Sequence, residues 1–226
     1  MNLIPLFSSF VSFVFAVLLL IQFIKRRKIH QLLWMIALLF FGISTLMELL
    51  MNPDIFGFNL ILFSIFYVTA SSLVGFLGAG QLYLIFKNKI SHFFLLFVIL
   101  FTLFLLIALI IVPFPTSLTF VGELGEDIRV ISNGYPISVR IFAILLASVG
   151  GIILLLGSLY SFVRDRKRYY ALFFAVGVIF PLLRNVPFGY LGNELACVIF
   201  LFTGFLLSIL YLKKRSNLME SIKNFT

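Results

Sequence analysis

Seven long runs of apolar residues dominate the chain, and short polar or charged gaps separate them. A run of about 20 apolar residues is the length that a helix needs to cross a hydrocarbon core of ~30 Å. We therefore predict an all-α, polytopic membrane bundle of seven transmembrane helices that forms a single integral membrane domain over residues 1–226. The predicted helices cover residues 4–24, 31–51, 59–86, 91–112, 137–163, 170–186 and 194–212.

The third run, 59–86, differs from the others because small and hydroxylated residues recur along it. Ser71, Gly75 and Gly78 are three or four positions apart, so they share one face of a helix. Such a face lets the backbones of neighbouring membrane helices approach closely. We predict that this helix is central in the bundle and packs through these residues.

Two other runs carry tracks of small residues. In the fifth run, one track contains Ala147 and Gly151, and a second contains Gly150 and Gly157. The first run has a comparable ladder of Ser8, Ser12 and Ala16. We expect close helix packing along these tracks as well.

The connection 113–136 is the longest between two runs. Two short β-prone segments, 118–121 and 128–131, lie on either side of a stretch rich in Gly and acidic residues. They predict a small β-hairpin that covers one end of the bundle.

Basic residues are unevenly distributed along the chain. Fourteen of the 17 Lys and Arg residues lie in the first, third and fifth gaps or after residue 212. Cytoplasmic loops are enriched in Lys and Arg, so we predict a multi-pass cell-membrane protein with its N-terminus outside and its C-terminus in the cytoplasm. The segment Met1–Ile24 has no basic n-region and no small-residue cleavage site, so we expect it to remain as the first helix.

The net charge of +9 is then a topology signal. We expect its partners to be the bilayer itself and the anionic lipids of the cytoplasmic face, and we expect no nucleic acid.

Charged residues within the apolar runs are the first candidates for chemistry, because each is costly in a bilayer unless it is paired or hydrated. Glu48, Arg140 and Arg184 meet this condition, and Asn185 and Glu194 lie at a similar depth. All five are on the predicted outer side, where they form a candidate ligand-binding cluster beneath the hairpin. The alternative is that these charges snorkel to the surface or form a structural ion pair.

Several catalytic classes lack the residues that they require. No histidine lies in mid-membrane to hold a haem, and the His and Asp set of a zinc hydrolase is missing. The last run contains no lysine for a retinal Schiff base. The single cysteine, Cys197, excludes an intramolecular disulfide and a cysteine metal cluster. We therefore expect no enzyme, no cofactor and no metal site.

The order of several residues along the second, third and fifth runs resembles that of a known group of membrane proteins. Trp34, which we expect near the cytoplasmic interface, and Glu48 lie in the second run, Gly78–Tyr83 closes the third, and Gly150 leads to Leu159–Ser161 in the fifth. This order resembles uncharacterised seven-helix membrane proteins of prokaryotes and, more distantly, the seven-helix input segments of sensor histidine kinases. We expect no kinase or other output domain after Lys213, so the resemblance implies a separate signalling partner and no catalytic residues.

We consider three candidate functions, from the most expected to the least expected. The first is a non-enzymatic receptor-like or accessory subunit that binds a small ligand or partner helices from the outer side, with another membrane protein or a second copy as partner. The alternative is a small-molecule or ion transporter or channel with a polar path near Glu48 and Arg184. Few polar residues beyond Gln81 lie in the inner halves of the later runs, which disfavours such a path. A membrane-embedded enzyme is the third, because no acid–base or nucleophile set is visible.

Overall fold

The computed structural model describes residues 3–86, 89–112, 136–166, 168–183, 195–208 and 210. Within these ranges the chain is helical and contains no strand, which confirms the all-α prediction for this part of it. The described helices are α1 (Ile4–Arg26), α2 (Ile29–Leu50), α3 (Leu60–Ile85), α4 (Lys89–Ile111), α5 (Ile137–Arg164), α6 (Tyr170–Leu183) and α7 (Leu195–Ser208).

Five of these helices, α1 to α5, are long and apolar enough to cross a membrane, which indicates a membrane protein. Helix α6 is described over 14 residues, and α7 is a shorter apolar helix. Seven membrane spans therefore stay a prediction. The predicted hairpin lies outside the described residues, except for Pro136.

Local sequence signals explain where the first helices end. Helix α1 ends at Arg27, which adopts a left-handed φ of 50° and donates its backbone N–H to the Phe23 carbonyl at 2.7 Å. Helix α2 ends just before Asn52 and Pro53, because the residue before a proline disfavours the α conformation. The Asn59 side chain then caps α3 by accepting a hydrogen bond from the Ile61 backbone N–H at 2.8 Å.

Two compact units divide the chain, Met1–Leu154 and Leu155–Thr226, and the boundary between them falls within α5. The single membrane domain stays a prediction. In the first unit, we call the end that carries the exposed residues Arg26, Lys28 and Lys89 the basic end, and the opposite end the Glu48 end.

Helix α3 contacts the helices α2, α4 and α5 within the described part of the first unit. It packs on α2 through the edge-to-face rings of Phe40 and Phe76, whose centroids are 5.5 Å apart. On its other sides, Gly75 faces both Val98 of α4 and Leu146 of α5. Helix α4 is the most exposed of the five long helices, with 17% of its apolar window buried, as expected for a helix that is apolar all round.

The second unit is described through α6 and α7, which run antiparallel. The rings of Phe174 and Phe205 meet edge to face at 4.7 Å. Gly204 lies against Phe173, and Gly177 lies against Leu201, so each helix approaches the other at a glycine. Close packing of helices at small residues is the usual arrangement within a bilayer.

Candidate functional site

Glu48 is the member of the predicted cluster that the structure describes best. It lies in the last turn of α2, and only 5% of its surface is exposed. The carboxylate is thus inside the packing of the chain rather than extended to the surface. Ser44 and Thr45, one turn earlier, are equally buried on the same helix face.

The hydroxyl groups of Ser44 and Thr45, beside Glu48, donate their hydrogen bonds to backbone carbonyls of α2 itself. Ser44 donates to the Phe41 carbonyl at 2.9 Å, and Thr45 donates to the carbonyls of Phe41 and Gly42 at 3.0 and 3.2 Å. Their oxygen lone pairs, like those of the carboxylate, are acceptors. This face of α2 therefore suits a group that brings N–H or O–H donors.

Arg140 lies half-buried in the first turn of α5, where its backbone N–H donates to the Pro136 carbonyl at 3.2 Å. Helices α3 and α5 run parallel, because Gly75 meets Leu146 and Gly78 meets Gly150. The first turn of α5 is consequently at the Glu48 end. Arg184, Asn185 and Glu194, the other members of the predicted cluster, lie outside the described residues.

A buried row of serines on α1 faces α2. Ser9 donates its hydroxyl to the Gly42 carbonyl at 2.9 Å, which ties the two helices together. Ser12 donates to the Ser8 carbonyl at 2.6 Å. Ser8 and Ser12 of the predicted ladder are fully buried, as is Ala16, and Ser9 is an additional member that the ladder did not contain.

Helices α3 and α5 make a backbone-to-backbone contact in the first unit. A Cβ placed on Gly78 would lie 2.6 Å from the Gly150 carbonyl oxygen, and one placed on Gly150 would lie 2.6 Å from the Val74 carbonyl oxygen. A Cβ on Gly75 would lie 3.1 Å from Val98 and 3.3 Å from Leu146. No side chain fits between the two backbones at this point.

The other predicted packing residues surround this contact. Ser71 and Ala147 are half-buried, and Gly151 is buried one residue beyond Gly150. Next to Ser71, the fully buried Ser72 accepts a hydrogen bond from the Thr102 hydroxyl of α4 at 3.1 Å. The pairing of α3 with α4 through hydroxyls therefore uses Ser72, which the predicted stripe did not include.

A polar and aromatic layer lies at the basic end. Trp34 is buried, donates its indole N–H to the Leu77 carbonyl at 3.3 Å, and lies directly against Gly80. The expected position of Trp34 near the cytoplasmic interface stays a prediction. The ring packs inward on α3, because Gly80 leaves room for it. His30 contacts the same indole edge to face at 5.4 Å.

Two buried glutamines belong to this end. Gln31 donates its amide to the Gln22 side-chain oxygen at 3.2 Å, which joins α2 to α1. Gln81, on α3, is 1% exposed. Two residues later, the Tyr83 hydroxyl and His92 Nδ1 are 2.5 Å apart and link α3 to α4.

Among the described residues, no group of three or more His, Cys, Asp or Glu is placed to hold a metal ion. Comparison of the chain with models of known families, with curated proteins and with solved structures finds no match in any of the three.

Proposed function

We propose that this chain is a non-enzymatic seven-helix protein of the cell membrane, a receptor-like or accessory subunit that binds a small ligand or partner helices from the outer side. The observation that supports this most is the burial of Glu48, which is 5% exposed within a helix apolar enough to cross a membrane. A charged residue costs about 2.5–3.5 kcal/mol at the centre of a membrane helix on insertion scales, and less near the helix end, where Glu48 lies. Ionisable residues inside membrane helices are nevertheless usually functional.

The proposed orientation follows from the charges. The basic end faces the cytoplasm, where Arg26, Lys28 and Lys89 contact anionic lipids, and the Glu48 end faces outward. A ligand or partner that reaches Glu48 then comes from outside. Another membrane protein or a second copy of this chain is the proposed partner.

The chemistry of the Glu48 face defines what would bind there. Glu48, Ser44 and Thr45 present acceptor oxygens, so the matching group carries N–H or O–H donors, as an ammonium or a guanidinium does. Arg140 lies at the same end, and we propose that Arg184, Asn185 and Glu194 complete the cluster. An arginine there can hold a carboxylate of the ligand or of the protein in a two-bond fork.

The alternative function is a transporter or channel for a small molecule or an ion. Gln31 and Gln81 favour it, because they bring buried polar groups to the basic end, opposite Glu48. A path would require hydrated groups between these two ends. Reconstituted liposomes distinguish the two functions, since a transporter moves its solute without any partner.

Co-purification tests the proposal. The tagged full chain is extracted from its native membrane in mild detergent, and bound proteins and small molecules are identified by mass spectrometry. We expect a stoichiometric partner or ligand that Glu48→Gln loses and that Asp54→Asn, which alters an exposed acid of the α2–α3 connection, retains. Equal recovery with both variants would contradict the role of Glu48, and a lone chain that moves a solute in liposomes would favour the alternative.

A further inference from the structure

Gln81 is a buried primary amide whose two polar atoms have no hydrogen-bond partner within the described part of the chain. It lies near the end of α3 with 1% of its surface exposed, and both Oε1 and Nε2 are unpaired there. A glutamine side chain offers one acceptor oxygen and two N–H donors. Buried polar side chains in proteins are nearly always bonded, so each exception calls for an explanation.

The backbone near Gln81 does not supply the missing partner. A helical side chain leans back over the preceding turn, which for Gln81 contains Leu77 and Gly78. The Leu77 carbonyl already accepts the Trp34 indole N–H at 3.3 Å in addition to its own helical hydrogen bond. The Gly78 backbone is pressed against Gly150 of α5. Gln81 is therefore fixed beside two tight helix contacts, and its amide is left unpaired.

A second unpaired amide oxygen lies at the same end of the first unit. Gln31 is 2% exposed and uses its Nε2 to bond Gln22, but its Oε1 has no partner among the described residues. A Cβ placed on Gly80 would lie 3.3 Å from the His30 carbonyl oxygen, so the first turn of α2 is level with Gly80. The buried amides of Gln31 and Gln81 thus belong to one layer of the first unit.

The surroundings of Gln81 determine which chemistry fits. Helix α3 contains no charged residue, and the described contacts on either side of Gln81 are those of Gly78 with Gly150 and of Gly80 with the Trp34 indole. An ion would find no opposite charge on this helix, and burial of an unpaired charge is far more costly than burial of a neutral amide. A neutral group with one donor and one acceptor side by side would satisfy both atoms of the Gln81 amide.

We propose that Gln81 is the recognition residue of a second binding site, at the basic end, for a neutral molecule whose head group is a carboxamide or a protonated carboxylic acid. Such a head group forms two parallel hydrogen bonds with a primary amide, and its apolar remainder suits a site reached through the bilayer. The site is separate from Glu48, which lies at the opposite end of α2. Its test is therefore independent of the function proposed above.

The chain is convenient for a direct test, because Gln22, Gln31 and Gln81 are its only glutamines. Protein labelled with ¹⁵N at the glutamine side-chain amides is prepared in detergent micelles, and hexanamide is the probe. We expect a saturable chemical-shift change at Gln81 and a higher melting temperature. N,N-dimethylhexanamide, which keeps the acceptor and lacks the donors, should bind at least tenfold more weakly.

Variants separate the site from general partitioning of the probe. Gln81→Leu assigns the resonance and should abolish the increase in melting temperature, whereas Ser148→Ala, at an exposed position on α5, should preserve it. If Gln81→Leu does not fold, Gln81→Met provides an apolar side chain of similar length. The wild-type titration needs neither variant.

Two results would overturn the proposal. Unsaturable shifts of all three glutamines would show that hexanamide only enters the micelle. No shift at Gln81, together with a higher melting temperature for Gln81→Leu or Gln81→Met without the probe, would show an amide that is buried unpaired or bonded to water only.

Discussion

Gly78 of α3 and Gly150 of α5 meet backbone to backbone. A Cβ placed on Gly78 would lie 2.6 Å from the Gly150 carbonyl oxygen, a distance that real Cβ atoms essentially never show, and 3.0 Å from the Gly150 Cα. The atoms on the far side belong to a helix backbone, which cannot move aside as a flexible side chain can. The contact therefore fixes the spacing of α3 and α5 at this level of the first unit.

The first prediction concerns this contact. Gly78→Leu should lower the free energy of unfolding by about 1–3 kcal/mol, the usual cost of overpacking, because the helices must separate to accept the side chain. Gly75→Leu should act in the same direction through Val98 and Leu146. Thermal melting in detergent measures both.

The matched control is Ser148→Leu, which places the same side chain at an exposed position on α5, two residues before Gly150. We expect its melting temperature to stay close to that of the wild type. Three equal melting temperatures would mean that α3 and α5 are not in close contact in the folded protein.

The second prediction pairs Trp34 with Gly80. A methyl group at residue 80 would collide with the indole ring, so Gly80→Ala should destabilise the wild type. In the Trp34→Leu background the smaller side chain leaves room, and the same substitution should cost less. A double-mutant cycle of unfolding free energies should give a coupling of about 0.5–3 kcal/mol, whereas additive effects would show that the two residues do not touch.

The helices could be predicted from the sequence because their signal is long and redundant. A run of 20 or so apolar residues tolerates many substitutions, and the charged gaps mark its ends. The third run was predicted at 59–86, and the helix is Leu60–Ile85. Over the described residues, the remaining predicted helices agree with the observed ones to within about two residues at each described end, the usual uncertainty of helix ends.

Which face of a helix makes a contact was harder to predict. Gly150 and Gly151 are adjacent, point about 100° apart on a helix, and belong to two equally plausible tracks. The sequence alone does not say which one meets Gly78. Trp34 presents the same difficulty, because an indole near a helix end suits either the interface or a space beside a glycine. The partner glycine, Gly80, is 46 residues further along the chain.

The sequence predicted the candidate site only as a set of charged and polar residues whose placement in a bilayer is energetically costly. Glu48 could be singled out because it is a charged residue within an apolar run, and the structure shows that it is buried. The unpaired state of the Gln81 amide could not be predicted. It depends on which groups of the neighbouring helices come within reach of the side chain, and that is a matter of tertiary packing.

The third prediction tests whether Glu48 depends on an arginine of the proposed cluster. Glu48→Gln combined with Arg184→Gln should show a coupling of at least ~0.5 kcal/mol in a double-mutant cycle of unfolding free energies. The reason is that a lone buried charge is costly, so each substitution should matter less once its partner is gone. The same cycle with Arg140→Gln serves as comparison. Additive effects in both cycles would leave Glu48 without an arginine partner.

The last prediction is the orientation of the chain, and the single thiol makes it accessible. In a Cys197→Ala background, one cysteine is placed at Phe56, which is 74% exposed in the α2–α3 connection, and in a second variant at Lys28, which is exposed at the basic end. An impermeant maleimide applied to intact cells should label Phe56→Cys and Ser132→Cys, in the segment predicted to cover the outer end, but not Lys28→Cys. Lysed cells should label Lys28→Cys, which shows that the thiol is reactive. Labelling of Lys28→Cys alone in intact cells would reverse the orientation, and a ligand at Glu48 would then have to come from the cytoplasm.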